Sequence, residues 1–195
     1  MIQLANTERH YGVAAIGLHW LMAALIVTLV AAGIYMVQLP DVGFDAKKIT
    51  LILIHKEIGM LALALVAMRL AWRQVNPLPR LAETLPEWQK VAAIFVHLCF
   101  YALMFALPVT GWVMSSAAGI PVSFLGLFTL PDFVPYDEDL FGLLRQVHAW
   151  LGYAMAVLIC IHADAALRHH FVLRDETLRK MLWSSDSEPP VSASR

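Results

Sequence analysis

Charged side chains are scarce in this sequence, and they are missing where a water-soluble domain would need them. Only 15% of the 195 residues are Asp, Glu, Lys or Arg, and the run from Ala14 to Val37 contains none. With 59% hydrophobic residues and a mean hydropathy of +0.65, the composition excludes an ordinary soluble domain and points to an integral membrane protein. The net charge of -1 is uninformative, whereas the placement of charge along the chain is not, and no nucleic-acid partner is expected. Cysteine is nearly absent. Cys99 and Cys160 lie in different apolar runs, which excludes a disulfide framework, and neither sits in a C-x-x-C-H motif, so that route of covalent attachment is closed. Both read as small hydrophobes. Neither an internal repeat nor a second, polar domain is evident.

What is present is four long apolar runs: 14–37, 49–72, 91–115 and 140–167. About 20 residues of helix cross ~30 Å of hydrocarbon, so each is long enough to span. The first exceeds a signal-peptide core and lacks a cleavage site, and it is expected to be a retained helix. A short link with Pro40, Asp41, Gly43 and Asp45 follows it, and Gln74–Lys90, with Pro77, Pro79 and Pro86, is a polar surface loop. Pro108 and Gly111 inside the third run predict a kink. The link Ser116–Asp139 is apolar but broken by Gly and Pro, and it closes on Asp137, Glu138 and Asp139; it is expected to cap the bundle at the interface. Residues 184–195 are Ser-, Pro- and acid-rich and are expected to be a disordered tail. Arg9, Arg69, Arg73, Arg80, Lys90, Arg168, Arg174, Arg179, Lys180 and Arg195 fall on one side, against Lys47, Lys48, Lys56 and Arg145 on the other. The positive-inside rule then makes both termini cytoplasmic. The predicted fold is all-α: an integral membrane up-down four-helix bundle, one domain over 1–183.

Histidine gives the bundle its chemistry. His148 and His162 lie on the fourth run fourteen positions apart, which at about 100° per residue brings both to nearly the same face, roughly 21 Å apart. Ionisable groups inside a span are costly and usually serve an ion path, a proton relay or a cofactor. Because alternate helices run in opposite directions, His55 and His148 share the outer level, while His19 and His162 share the inner one. Paired imidazoles at two depths are what two haems with histidine axial ligands require. Zinc fits less well, because four ligands would have to converge on one ion. His97 enters the third run at a depth similar to His162 and competes for the inner level. A flat macrocycle against a helix calls for a small residue one turn from its ligand. Ala23, Gly59, Gly152 and Ala166 stand four positions after His19, His55, His148 and His162, whereas Tyr101 stands after His97. That pattern favours His97 as a neighbour rather than a ligand. Met22, Met60, Met104 and Met155 are alternative axial donors, but most methionines here read as core or lipid-facing filler.

The charged residues near these levels have two readings each. Arg69, Arg73 and Arg168 sit where inner propionates would end, with Arg145 and Lys56 at the outer level; all five also suit cations that snorkel from helix ends. Asp164 needs a cation partner or a proton-carrying role at its depth. His169 and His170 are interfacial anchors or relays that hydrogen-bond a quinone carbonyl. Trp20, Trp72, Trp112 and Trp150 fit interface packing.

The runs Tyr11-Gly-Val-Ala-Ala-Ile-Gly-Leu-His19-Trp-Leu-Met, His55-Lys-Glu-Ile-Gly59, Arg69-Leu-Ala-Trp-Arg73, His97-Leu and Ala106-Leu-Pro-Val-Thr-Gly111 resemble the bacterial cytochrome b561 family. So do His148-Ala-Trp-Leu-Gly152, His162-Ala-Asp-Ala-Ala-Leu-Arg-His-His170-Phe and Arg174-Asp-Glu-Thr-Leu. The resemblance runs from Tyr11 to about Met181. It implies a four-helix inner-membrane cytochrome with two haem b groups, exchanging electrons with ubiquinone, in a family that includes superoxide oxidases. It also implies the ligand pairs His19 with His162 and His55 with His148. Charge on the outer side is mixed: Asp132, Asp137, Glu138 and Asp139 accompany the lysines and Arg145, so the residues name no donor. Two rivals follow from the same features. One is a haem-bearing anchor linking a dehydrogenase or hydrogenase partner protein to the quinone pool; the other is a haem-free proton or metal path.

Overall fold

The computed structural model describes residues 3–8, 10–40, 45–79 and 85–182. The expected tail at 184–195, together with Arg9, Arg80 and Arg195 from the charge argument and Asp41 and Gly43 from the first link, lies outside the described residues. Four helices carry the fold: α1 (Val13–Gln38), α2 (Ala46–Val75), α3 (Glu87–Ala117) and α4 (Glu138–Arg168). At ~1.5 Å per residue their 26 to 31 residues make rods of roughly 39 to 47 Å, longer than the hydrocarbon layer alone needs. All four are apolar enough to cross a membrane.

Each helix runs a few residues past its apolar run, because hydropathy marks where lipid begins while capping decides where the helix begins. Asp45 opens α2 by accepting hydrogen bonds from the Lys47 and Lys48 amides, and Asp137 opens α4 by accepting from Leu140. Pro86, with φ already at -63°, precedes α3. Gly12 precedes α1 because nothing larger fits: a Cβ there would stand 2.2 Å from the Leu4 carbonyl oxygen. Pro108, where a kink is expected, sits inside the continuous α3.

The helices pack in ring order: α1 against α2 and α4, α3 against α2 and α4. Successive neighbours therefore run antiparallel, the up-down topology that short connections favour. One buried cluster occupies the middle, with one side chain from each helix: Met22, Val66, Met104 and Met155. Met155 lies seven residues from both His148 and His162, so this apolar layer separates the two histidine levels. Outward faces carry Ile94, Phe95 and Leu98, each more than 60% exposed, which is the surface lipid covers rather than water.

The two ends differ. At the terminal end the Val13 amide at the start of α1 donates back to the Gln3 carbonyl, and buried Asn6 bridges the chain by donating to the Pro77 carbonyl and accepting from the Gly12 amide. Trp20 donates to the Met181 carbonyl and ties the chain beyond α4 to α1. At the opposite end, the α3–α4 link forms the expected cap, with one feature that periodicity did not foresee. A two-stranded hairpin, β1 (Ser123–Phe124) with β2 (Phe128–Thr129), turns through Leu125 and Gly126, both at positive φ. Lys56 holds this cap to α2 through the Pro121 carbonyl, while Trp112 holds it to α3 through Pro131.

Candidate haem sites between the helices

At the cap end, α2 and α4 bring His55 and His148 face to edge with ring centres 6.2 Å apart. Two imidazoles that share one metal stand roughly 6 Å apart, since each metal–nitrogen bond is about 2 Å and each ring centre lies further back. The neighbours make room. A Cβ on Gly111 would meet His148 Cε1 at 3.2 Å, and one on Gly33 would meet His55 Cε1 at 3.6 Å. At Gly59 and Gly152, one turn beyond each histidine, a Cβ would meet no atom within 4 Å. The cradle that a flat ligand needs is thus lined by residues without side chains. His55 Nδ1 is buried without a hydrogen-bond partner among the described residues, an orphan of the kind that marks an unfilled role.

His148 is oriented more fully. Its Nδ1 lies 3.1 Å from Thr110 Oγ1, and that hydroxyl donates to the carbonyls of Ala106 at 2.7 Å and Leu107 at 2.9 Å. A hydroxyl with its only proton already given can only accept, so the His148 proton sits on Nδ1. Nε2 keeps its lone pair. Metal-binding histidines are oriented by such an outer partner. Nothing in the residue pattern singled out Thr110; only its place in the Ala106–Gly111 run hinted at it.

At the terminal end three imidazoles gather. His162 is 6.4 Å from His19 and 5.6 Å from His97, with Phe100 edge-on at 5.2 Å. Either partner satisfies the spacing, so distance does not choose between them. Exposure does separate them: His97 is exposed and turns Nδ1 back to the Ala93 carbonyl of its own helix at 2.6 Å, whereas His19 and His162 are half-buried. The His19 ring meets Arg69 Nη2 at 3.2 Å. Arg73 lies over the Tyr101 ring at 5.5 Å, so two guanidinium groups from α2 face the inner cluster. Tyr11 joins them just ahead of α1, where burial pushes its phenol up against the opposing pull of Arg73 and Arg69.

The remaining candidates separate clearly. Arg145 is exposed on the first turns of α4, and Arg168 is exposed on its last turn. Asp164 is exposed and makes no hydrogen bond or ion pair among the described residues. His170 packs edge-on against Phe171 at 4.8 Å. His169 is bound: its Nδ1 meets Asp175 Oδ2 at 2.5 Å. Met22, Met104 and Met155 belong to the central core, and Met60 is also buried.

Four spanning helices with imidazoles facing one another at two levels define a class, the polytopic membrane bundle with a histidine-lined interior. The chain belongs to the prokaryotic cytochrome b561 family, which matches residues 10–184. It is 33% identical over 188 residues to cytochrome b561 homolog 2 of Escherichia coli (strain K12), covering 96% of this chain and 98% of that one. It is 33% identical over 131 residues to cytochrome b561 homolog 1 of the same organism, covering 66% of this chain and 72% of that one. A protein of Yersinia pestis named probable superoxide oxidase CybB is 28% identical over 176 residues, 90% of this chain and 97% of its own. Family membership carries haem b binding and an electron-transfer, oxidoreductase role in a bacterial membrane.

Proposed function

We propose that the chain is a di-haem b-type cytochrome of the bacterial inner membrane, carrying electrons between a donor on the outer side and ubiquinone, with superoxide as the donor. The observation that carries this reading is the pair of imidazole spacings, 6.2 Å at the cap end and 6.4 Å at the terminal end, with a buried apolar layer between them. The lysine and arginine distribution supports a cytoplasmic terminal end and an outer cap.

His55 and His148 would hold the outer haem, and His19 and His162 the inner one. Bound haem supplies reversible one-electron chemistry. The chain's own residues do the rest. Thr110 presents His148 Nε2, and Gly111 leaves the His148 ring its place. In a neutral His19 ring that accepts from Arg69, the proton sits on Nε2. Ligation through Nε2 would therefore require Arg69 to release the ring, leaving its guanidinium to pair with a carboxylate of the bound group. Arg73 stands beside it, and His97 serves as a polar neighbour. Arg145 and Lys56 face the outer side and Arg168 the inner. Ubiquinone is read at His169, the better anchored of the adjacent histidines, with His170 packed on Phe171 beside it and Asp164 exposed on α4.

A pyridine haemochrome assay on purified protein tests the cofactor content, and superoxide-driven reduction of a short-chain ubiquinone tests the reaction. Two haems per chain and catalytic turnover are expected. A colourless protein would overturn the reading. Two haems without turnover, in a chain that retains a dehydrogenase or hydrogenase subunit, would replace it with the anchor role.

A further inference from the structure

Helix α4 does not end as its sequence suggests. Its last turn widens into a π-helical turn, His169–Leu173, and the chain then reverses at Arg174, a non-glycine residue in the left-handed region with φ 55° and ψ 38°. The Arg174 and Asp175 amides both donate to the His169 carbonyl, the latter at 3.1 Å. π-helical turns and left-handed non-glycine residues are both uncommon, and each tends to mark a functional position. Here they serve one purpose: six residues after His169 the chain returns, and Asp175 Oδ2 meets His169 Nδ1 at 2.5 Å. Both side chains are only 17% exposed. The other carboxylate oxygen, Oδ1, accepts from the Thr177 amide at 2.9 Å, which fixes the carboxylate from its far side. Trp20 secures the segment beyond it through Met181. A simple helix end needs none of this, since an α-helix continued through residue 175 would carry the carboxylate well past the imidazole.

We propose that Asp175 is a positioning residue for ubiquinone chemistry: it holds His169 with Nδ1–H on the carboxylate, so that Nε2 is the atom presented to the quinone. This rests on the reading of His169 as the quinone-facing histidine. An ionised carboxylate can only accept, so the Nδ1 proton stays on the ring through the cycle. Burial pushes the Asp175 carboxyl up, but hydrogen bonds from Thr177 and His169 outweigh it and hold the group below its ordinary value, so it remains ionised. Reduction of one quinone takes two electrons, delivered by the protein's electron-transfer activity, and two protons. In each proton transfer the Nε2–H bond of the His169 imidazolium breaks and an O–H bond forms at a quinone oxygen. Water at the terminal end then returns a proton to Nε2. Asp175 stabilises the imidazolium and exchanges no proton, the division of labour of a carboxylate–histidine pair.

The test runs the reaction from the quinol side, so that it does not depend on the donor. Haem-loaded full-length protein is mixed with a short-chain ubiquinol, and haem reduction is followed by stopped-flow absorbance. Asp175→Asn, Asp175→Glu and His169→Gln are compared with the parent, with haem content and the dithionite-reduced spectrum measured for each. Asp175→Asn is expected to lower the saturating rate about tenfold or more, with the half-saturating quinol concentration changed less than about twofold, and Asp175→Glu to recover part of the rate. Haem content stays at the parental level. If Asp175→Asn keeps the parental rate while His169→Gln loses it, Asp175 has no positioning role and the site itself stands. If His169→Gln keeps the parental rate, the quinone reading of this end fails, and the proposal with it. Rate loss that only follows haem loss, unrecovered by Asp175→Glu, makes the pair structural and overturns the proposal.

Discussion

His148 Nδ1 stands 3.1 Å from the hydroxyl oxygen of Thr110, which has already given its proton to backbone carbonyls of α3. This one contact sets which nitrogen of His148 faces the interior. Thr110→Val removes the acceptor while keeping the shape of the side chain. It is expected to weaken retention of the outer haem by about 10- to 100-fold, and Thr110→Ser to restore it. Haem titration of the purified variants, monitored at the α-band, measures both.

Gly111 is small because of where the His148 ring lies. A Cβ would come within 3.2 Å of Cε1, and a branched side chain cannot be accommodated without displacing the ring. Gly111→Val should therefore remove the outer haem and leave the inner one. The pyridine haemochrome yield falls by half, with the remaining absorbance assigned by comparison with His55→Ala.

The pairing itself predicts which substitutions are equivalent. His55→Ala and His148→Ala are expected to lose the same haem, and His19→Ala and His162→Ala the other. His97→Ala keeps both, because its ring is exposed and bound to its own helix. Redox titration resolves the haems. A His97→Ala protein lacking the inner haem, with His19→Ala retaining it, would reassign the ligand.

Arg69 faces the inner cluster across 3.2 Å. A nearby positive charge favours the reduced, less positive form of an iron centre. Arg69→Gln should lower the inner potential, by on the order of tens of millivolts for a charge at this range in a partly buried site, with a smaller change at the outer haem. Spectroelectrochemistry gives both values.

Stability at the terminal end depends on Asn6, which is 8% exposed and bonded at both ends of its amide. Asn6→Leu leaves the Gly12 amide without its acceptor and the Pro77 carbonyl without its donor. A loss of roughly 1–3 kcal/mol is expected, read as a lower Tm in detergent. The bundle beyond Val13 retains its helicity.

Much of this protein is legible in its residue order. Long runs without charge have only one solution in lipid, a helix that satisfies its own backbone, so the four rods and their alternation follow from composition and spacing. A separation of fourteen positions between His148 and His162 puts both on one face before any neighbour is known, and Gly59 and Gly152 announced the room beside the outer pair. What one dimension leaves open is lateral. The ring order of the helices brings both His19 and His97 against His162, a convergence that depends on packing and not on spacing along the chain. Thr110 is one of many polar residues until α3 meets α4 and its hydroxyl reaches His148. Nothing in the residue order distinguishes Asp175 from the other acids, because no periodicity encodes a widened turn followed by a reversal. Local sequence determined which segments must be helical and at what depth each imidazole lies. Only the packed structure decided which of them face each other and which polar group each meets, because those depend on contacts between residues far apart in the chain.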